Sequence, residues 1–154
     1  MGAYEYHAIA AHLDIEPRRC PNRFRVRGRG WGVLRMAIVG SESFDVTQID
    51  PDSLVLTRAD GVGESVTPLR RGHWHGVIIR DVTTPFDGEL CDCHTLGRDG
   101  IDDLLLRFRR REMIDALELG SAESGDEIAL TVSGVLMDGT EFNASDCILI
   151  IGRR

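Results

Sequence analysis

Between Arg80 and Phe108 the chain reads RDVTTPFDGELCDCHTLGRDGIDDLLLRF, which carries the acids Asp81, Asp87, Glu89, Asp92, Asp99, Asp102 and Asp103. Gly88, Gly97 and Gly100 punctuate them, and the acids stop at the apolar run Leu104-Leu105-Leu106. A hard cation such as Ca2+ takes about 6–8 oxygen ligands, and carboxylates on a tight, glycine-rich loop supply them. The same residues have a plainer use as turn formers and caps in a solvated loop. The two uses differ in geometry. A cation needs several oxygens to converge on one point, whereas a turn needs each carboxylate to meet a nearby N–H.

Inside this stretch, Cys91-Asp92-Cys93 is followed by His94. One intervening residue is shorter than the C-x2-C spacing of most zinc sites, which argues against zinc and for free thiols or disulfides. With Cys20 and Cys147 there are four cysteines, and four allow three pairings. His73-Trp74-His75 would place two imidazoles on one face of a strand. Joined by His94 they would make a zinc site, and with a carboxylate a zinc-dependent hydrolase. Beside Arg70-Arg71-Gly72, a polar strand face is the simpler use. Trp31 and Trp74 are candidate stacking platforms for a carbohydrate-binding module. Ser41, Ser43 and Ser133 lack a nucleophile-elbow context, and Gly28 to Gly32 lacks the lysine and following helix of a phosphate loop. Asn143-Ala144-Ser145 fits the N-glycosylation sequon. No catalytic set emerges.

Arg23, Arg25, Arg27 and Arg29 alternate with apolar or small residues. On a strand they would form a line of guanidinium groups about 7 Å apart. Such a line suits an acidic polysaccharide or an acidic loop of a second copy; it also suits an edge strand guarded by charge.

The elements that must position these groups are mostly strands. Period-two alternation marks Tyr4, Tyr6 and Ile9 to Ile15, then Phe24 to Gly28. Further strand runs are Val33 to Val39, Leu54 to Thr57, Ser65 to Leu69, Val77 to Ile79, Leu104 to Phe108, Ile128 to Met137 and Cys147 to Ile151. Asp138-Gly139 reads as a hairpin turn. Arg110 to Leu119 is the one helix, with Met113, Ile114 and Leu117 on one face and Gly120 as its stop. Eight or nine short strands with a turn every ten residues or so predict an all-β, antiparallel β-sandwich with one short helix.

The chain has 154 residues, enough for one domain. Its net charge of −7 argues against general binding to nucleic acid or anionic membranes. All 18 basic residues are arginine, which a GC-rich coding bias explains most simply. No apolar run approaches the length of about 18 residues that spans a bilayer. The first residues lack the basic-then-apolar order of a signal peptide, and Tyr6 stands where myristoylation wants Ser or Thr.

Several strings resemble a β-sandwich module of bacterial surface and secreted proteins. They are Asp14-Ile15-Glu16-Pro17, Cys20-Pro21-Asn22, Val33 to Gly40, and FDVTQIDP from Phe44 to Pro51. Asp99-Gly100 with Asp103 to Phe108, Leu130 to Gly134 and Asp138-Gly139-Thr140 complete the pattern. The likeness runs from about Asp14 to Ile151. It implies a module of residues 14–154 without catalysis, preceded by an N-terminal strand over residues 1–13. The implied location is extracellular or at the cell surface, and the implied role is structural or adhesive, within a surface or filament assembly. It places Cys20 and Cys147 at the two ends of one sandwich, close enough to pair. The family's acidic loop is compact. Here an insertion separates Asp81 from Asp99, and Ile101 stands where a ligand aspartate belongs. Calcium is then held by Asp81, Asp99 and Asp103 closed over the insertion, with Asp92 and Asp102 as further ligands, or it is lost. The N-terminal strand, with Tyr4 and Tyr6, is too apolar for a free tail. It pairs with its own sheet or with a neighbour's, and in the second case the protein forms a homo-oligomer or fibre.

Overall fold

The computed structural model describes residues 8–26 and 32–152. Tyr4, Tyr6, Arg27, Arg29 and Trp31 lie outside the described residues. The strands are β1 (Ile9–Ile15), β2 (Arg23–Arg25), β3 (Val33–Val39), β4 (Val55–Arg58) and β5 (Ile78–Arg80), then β6 (Asp103–Arg109), β7 (Glu127–Val135) and β8 (Glu141–Ile151). The α-helix, α1, spans Arg110–Ala116.

The fold is mostly β, as the alternation predicts, but it is a single mixed sheet curled into a half-barrel and not a clean antiparallel sandwich. The strand order is β4-β7-β8-β1-β3-β6-β5, and β2 also pairs with β8. Two pairings are parallel. β1 runs beside the first part of β8, with His12 opposite Ser145, and β2 runs beside its end, with Arg23 opposite Leu149. Alternation reports which residues face the core and not which strand lies alongside, so the parallel pairings left no trace in the pattern.

The register of the central strands follows from their apolar residues. Leu34, Met36 and Ile38 of β3 lie opposite Phe108, Leu106 and Leu104 of β6. Leu13 and Ile15 of β1 lie opposite Ile38 and Met36. All eight are buried. They form one core with Ile128, Leu130 and Val132 of β7 and with Met113 and Leu117, which α1 supplies. α1 follows β6 without a loop. It ends before Glu118, which takes a left-handed conformation (φ 53°), and a 3-10 turn at Leu119–Ser121 follows. Phe24, between the exposed Arg23 and Arg25, is fully buried under the Arg110 guanidinium, 5.1 Å from its ring centroid.

The FDVTQIDP string forms two short 3-10 turns. The Asp45 carboxylate accepts from Thr47 N–H and the Asp50 carboxylate from Asp52 N–H. Phe44, Val46 and Ile49 face the core, where Phe44 meets Phe142 edge-on at 5.4 Å. The β7–β8 hairpin closes through Asp138-Gly139, with Gly139 at φ 89° and Thr140 N–H bonded to the Asp138 carboxylate.

Two expectations need correction. Ser65 to Leu69 is no strand; Val66 alone makes a bridge to Leu56. His73-Trp74-His75 is no strand face either, because Arg71 and Trp74 bridge each other across a tight turn. Of the two pairings open to the N-terminal strand, its described part, β1, takes the one within its own sheet, bonded to β8 over residues 9–12 and to β3 over residues 12–15. No helix among the described residues is long and apolar enough to cross a membrane.

Candidate functional site

β8 is longer than either strand on its parallel edge. β1 leaves it after Ser145 and β2 joins it at Leu149. Asp146 fills the gap. Its carboxylate accepts from Ile15 N–H (2.9 Å), from Cys147 N–H (2.8 Å) and from the Asn22 side-chain amide (3.3 Å). Asn22 also donates to the Cys147 carbonyl and accepts from Leu149 N–H, which fixes the start of β2.

Asp14 stands between Leu13 and Ile15, so it points to the face opposite the core. The insertion after β5 packs on that face. Asp103 anchors both ends of the contact: its carboxylate accepts from Gly40 N–H (2.9 Å), Val82 N–H (2.8 Å) and Thr83 N–H (3.1 Å). Thr83, fully buried, donates its hydroxyl to Asp14. His94 reaches the same carboxylate from the far side of the insertion, with Nε2 4.0 Å from Asp14 Oδ1, and its ring stacks on Phe86 at 4.4 Å. Thr84 donates to the Gly97 carbonyl and closes the base of the insertion.

Two disulfides fasten this layer, Cys20–Cys93 and Cys91–Cys147, with Cα atoms 5.4 and 5.0 Å apart. The expected Cys20–Cys147 pairing is therefore wrong. Both residues border the same small cavity beside Asn22 and Asp146, but each is bonded to a cysteine of the insertion. Cys91, in a left-handed conformation (φ 76°), turns the chain between the two attachments. All four cysteines are paired in these two bridges.

Three carboxylates thus lie out of water within one junction. Asp14, 3 % exposed, is pushed up to about 6 by burial, against the pull of the Thr83 hydroxyl and His94. Burial also raises Asp103 and Asp146, in each case against their N–H donors. His94 Nδ1 and Asn22 Oδ1 are buried without a hydrogen-bond partner among the described residues. A groove of about 390 Å³ runs beside the junction, bordered by His12, Asp14, Phe86 and His94.

The acids read as calcium ligands come together only in part. Asp81 accepts from Asp99 N–H (3.2 Å) and Gly100 N–H (2.7 Å), and Asp99 from Ile101 N–H (3.0 Å). Asp103 is turned inward to its three amides, Asp102 is exposed, and Asp92 caps the Glu89 N–H (3.2 Å). Of the three histidines, His94 is in the junction, His73 lies in the turn before β5, and His75 Nδ1 accepts from Val77 N–H. Among the described residues no group of three or more His, Cys, Asp or Glu side chains is arranged to hold a metal ion. Trp74 is exposed where it closes its turn against Arg71. Asp14, Asp146 and Thr83 escaped notice in the sequence. The available signal was an acid between two core residues, Leu13-Asp14-Ile15, which on a buried strand demands a partner.

Comparison with protein-family models, with curated proteins and with solved structures returns no match.

Proposed function

We propose that the chain is a non-enzymatic structural or binding module that works outside the cytosol. The carrying observation is the pair of disulfides joining one inserted loop to two separate points of the sheet. Such bonds form and persist in oxidising compartments. The junction beneath them is built for holding and not for turnover. The Thr83 hydroxyl beside Asp14 is fully buried and already donates to that carboxylate. The motif likeness to bacterial surface modules points the same way. Calcium enters the proposal as a further clamp on the Asp81–Asp103 loop, where Asp99 and Asp102 are exposed and the amides already close the turn.

The test has two parts. Peptide mapping of protein from its native source under non-reducing conditions should yield Cys20–Cys93 and Cys91–Cys147 linked peptides; four free thiols would overturn the extracytosolic placement. Elemental analysis decides the chemistry, because stoichiometric zinc would replace the structural role with that of a hydrolase. A melting temperature unmoved by millimolar Ca2+ in initially metal-free protein would remove calcium from the proposal.

A further inference from the structure

In a chain of net charge −7, five arginines border one open cleft of about 550 Å³. Arg18 and Arg19 come from the turn after β1, Arg35 from β3, Arg80 from the end of β5 and Arg98 from the end of the insertion. Leu105 of β6 forms the floor. Arg35, Leu105 and Arg80 share one sheet face by register, since Ala37 lies opposite Leu105 and Leu105 opposite Ile78. Arg35 also lies directly opposite Arg107. Like charges facing one another across a strand pair are destabilising, so this arrangement is held at a cost to the fold. Both acids at the rim are engaged elsewhere. Glu16 is 3.7 Å from Arg110, and Asp81 accepts from the Asp99 and Gly100 amides. Among the described residues no carboxylate lies within 4.0 Å of any of the five guanidinium groups.

We infer that this cleft is a binding site for a polysaccharide carrying repeated carboxylate or sulfate groups. Guanidinium forks match such oxyanions with paired N–H donors, and the cleft volume falls within the range of ligand sites. The cleft is open to solvent and not enclosed, so a polymer reaches it without presenting a chain end. Among the described residues, Phe, Tyr and Trp are absent from its lining. Single-stranded nucleic acid relies on such rings for base stacking, and the overall acidity of the chain opposes a duplex. The choice of a glycan over other polyanions rests on the extracytosolic placement proposed above; the anion site itself does not.

The experiment is titration calorimetry at low salt with three probes: an oligogalacturonate hexamer, a heparin hexasaccharide and a single-stranded DNA of equal charge. Saturable binding of either saccharide is expected, at least tenfold tighter than the DNA. It should weaken at least tenfold in Arg35→Ser/Arg80→Ser and stay unchanged in Arg71→Ser/Arg111→Ser, whose exposed charges lie in the turn before β5 and on α1, away from the cleft lining. The melting temperature of the first variant should be unchanged or higher, because the Arg35–Arg107 repulsion is gone. Absence of saturable saccharide binding, equal weakening in both variants, or DNA binding as tight as the saccharides would each overturn the inference. None of these results depends on the disulfide map, so the site and the compartment fail separately.

Discussion

Asp14 is the residue at which the cost of the junction can be measured. In the unfolded chain its carboxyl loses its proton near the ordinary value of 3.8, whereas in the folded protein it keeps the proton up to about 6. Between these values the native state binds more protons than the unfolded state, so stability falls as pH rises. The contribution is fully present below 3.8, is lost through about 6, and spans about 3 kcal/mol. Asp146 and Asp103 are shifted in the same direction by burial and add to the trend. His94, with Nε2 4.0 Å from Asp14 Oδ1, pulls Asp14 the other way. Asp14→Asn keeps an oxygen for the Thr83 hydroxyl and removes the ionisation. Denaturant unfolding should find this variant more stable than the parent at pH 7, by up to about 3 kcal/mol, and little different at pH 4. A parent that gains stability steadily from pH 4 to 7, with the variant parallel to it, would show that Asp14 is ionised throughout. The acids between Asp81 and Asp103 were conspicuous in the sequence because they cluster. Asp14 and Asp146 were not, because an isolated acid in a strand looks the same whether it faces water or a packed loop.

At the scale of elements, legibility followed burial. β3 was read to its exact ends, because Leu34, Met36 and Ile38 alternate and Gly40 closes the run. β8 was read only from Cys147, since Asn143, Ser145 and Asp146 disguise its first half, and its polar residues serve the parallel edge and the junction. The apolar residues of Ser65 to Leu69 resemble a strand, but that segment holds one bridge and a single further backbone bond, Leu69 N–H to the Arg107 carbonyl. Gly40 shows what periodicity cannot express. Its N–H binds Asp103, and a Cβ there would drive into the Asp102 carbonyl oxygen and come within 3.3 Å of Ile101 Cγ2. The hairpin glycine Gly139, at φ 89°, has open space where its Cβ would sit. Gly40→Ala should therefore cost about 3 kcal/mol through a backbone clash, whereas Gly139→Ala costs about 1 kcal/mol in conformational strain alone. Equal destabilisation of the two variants in thermal melts would mean that the insertion yields freely at Gly40, and that its seat on β3 is loose.

For the molecule as a whole, the insertion covers the sheet face opposite the core, and two disulfides fasten it there. The bridges close separations of 73 and 56 residues, and each restricts the unfolded chain by about 4 kcal/mol on a chain-entropy basis. Both leave the same point, Cys91 and Cys93, and reach the junction of β2 with β8 at Cys20 and Cys147. Either bridge alone keeps the tip of the insertion docked, and with it His94 over Asp14. The two are then partly redundant in the native state, and their removal should not be additive. Cys20→Ser/Cys93→Ser and Cys91→Ser/Cys147→Ser should each lower stability by about 2–4 kcal/mol. The quadruple variant should lose more than their sum, because only then is the insertion free to lift from the sheet. Lifting admits water to Asp14 and returns its carboxyl toward the ordinary value. The fall in stability between pH 4 and 6 should therefore persist in each double variant and flatten in the quadruple one. Strictly additive losses, with the pH dependence intact in the quadruple variant, would show that hydrogen bonds from Thr83 and to Asp103 seat the insertion without help from either bridge.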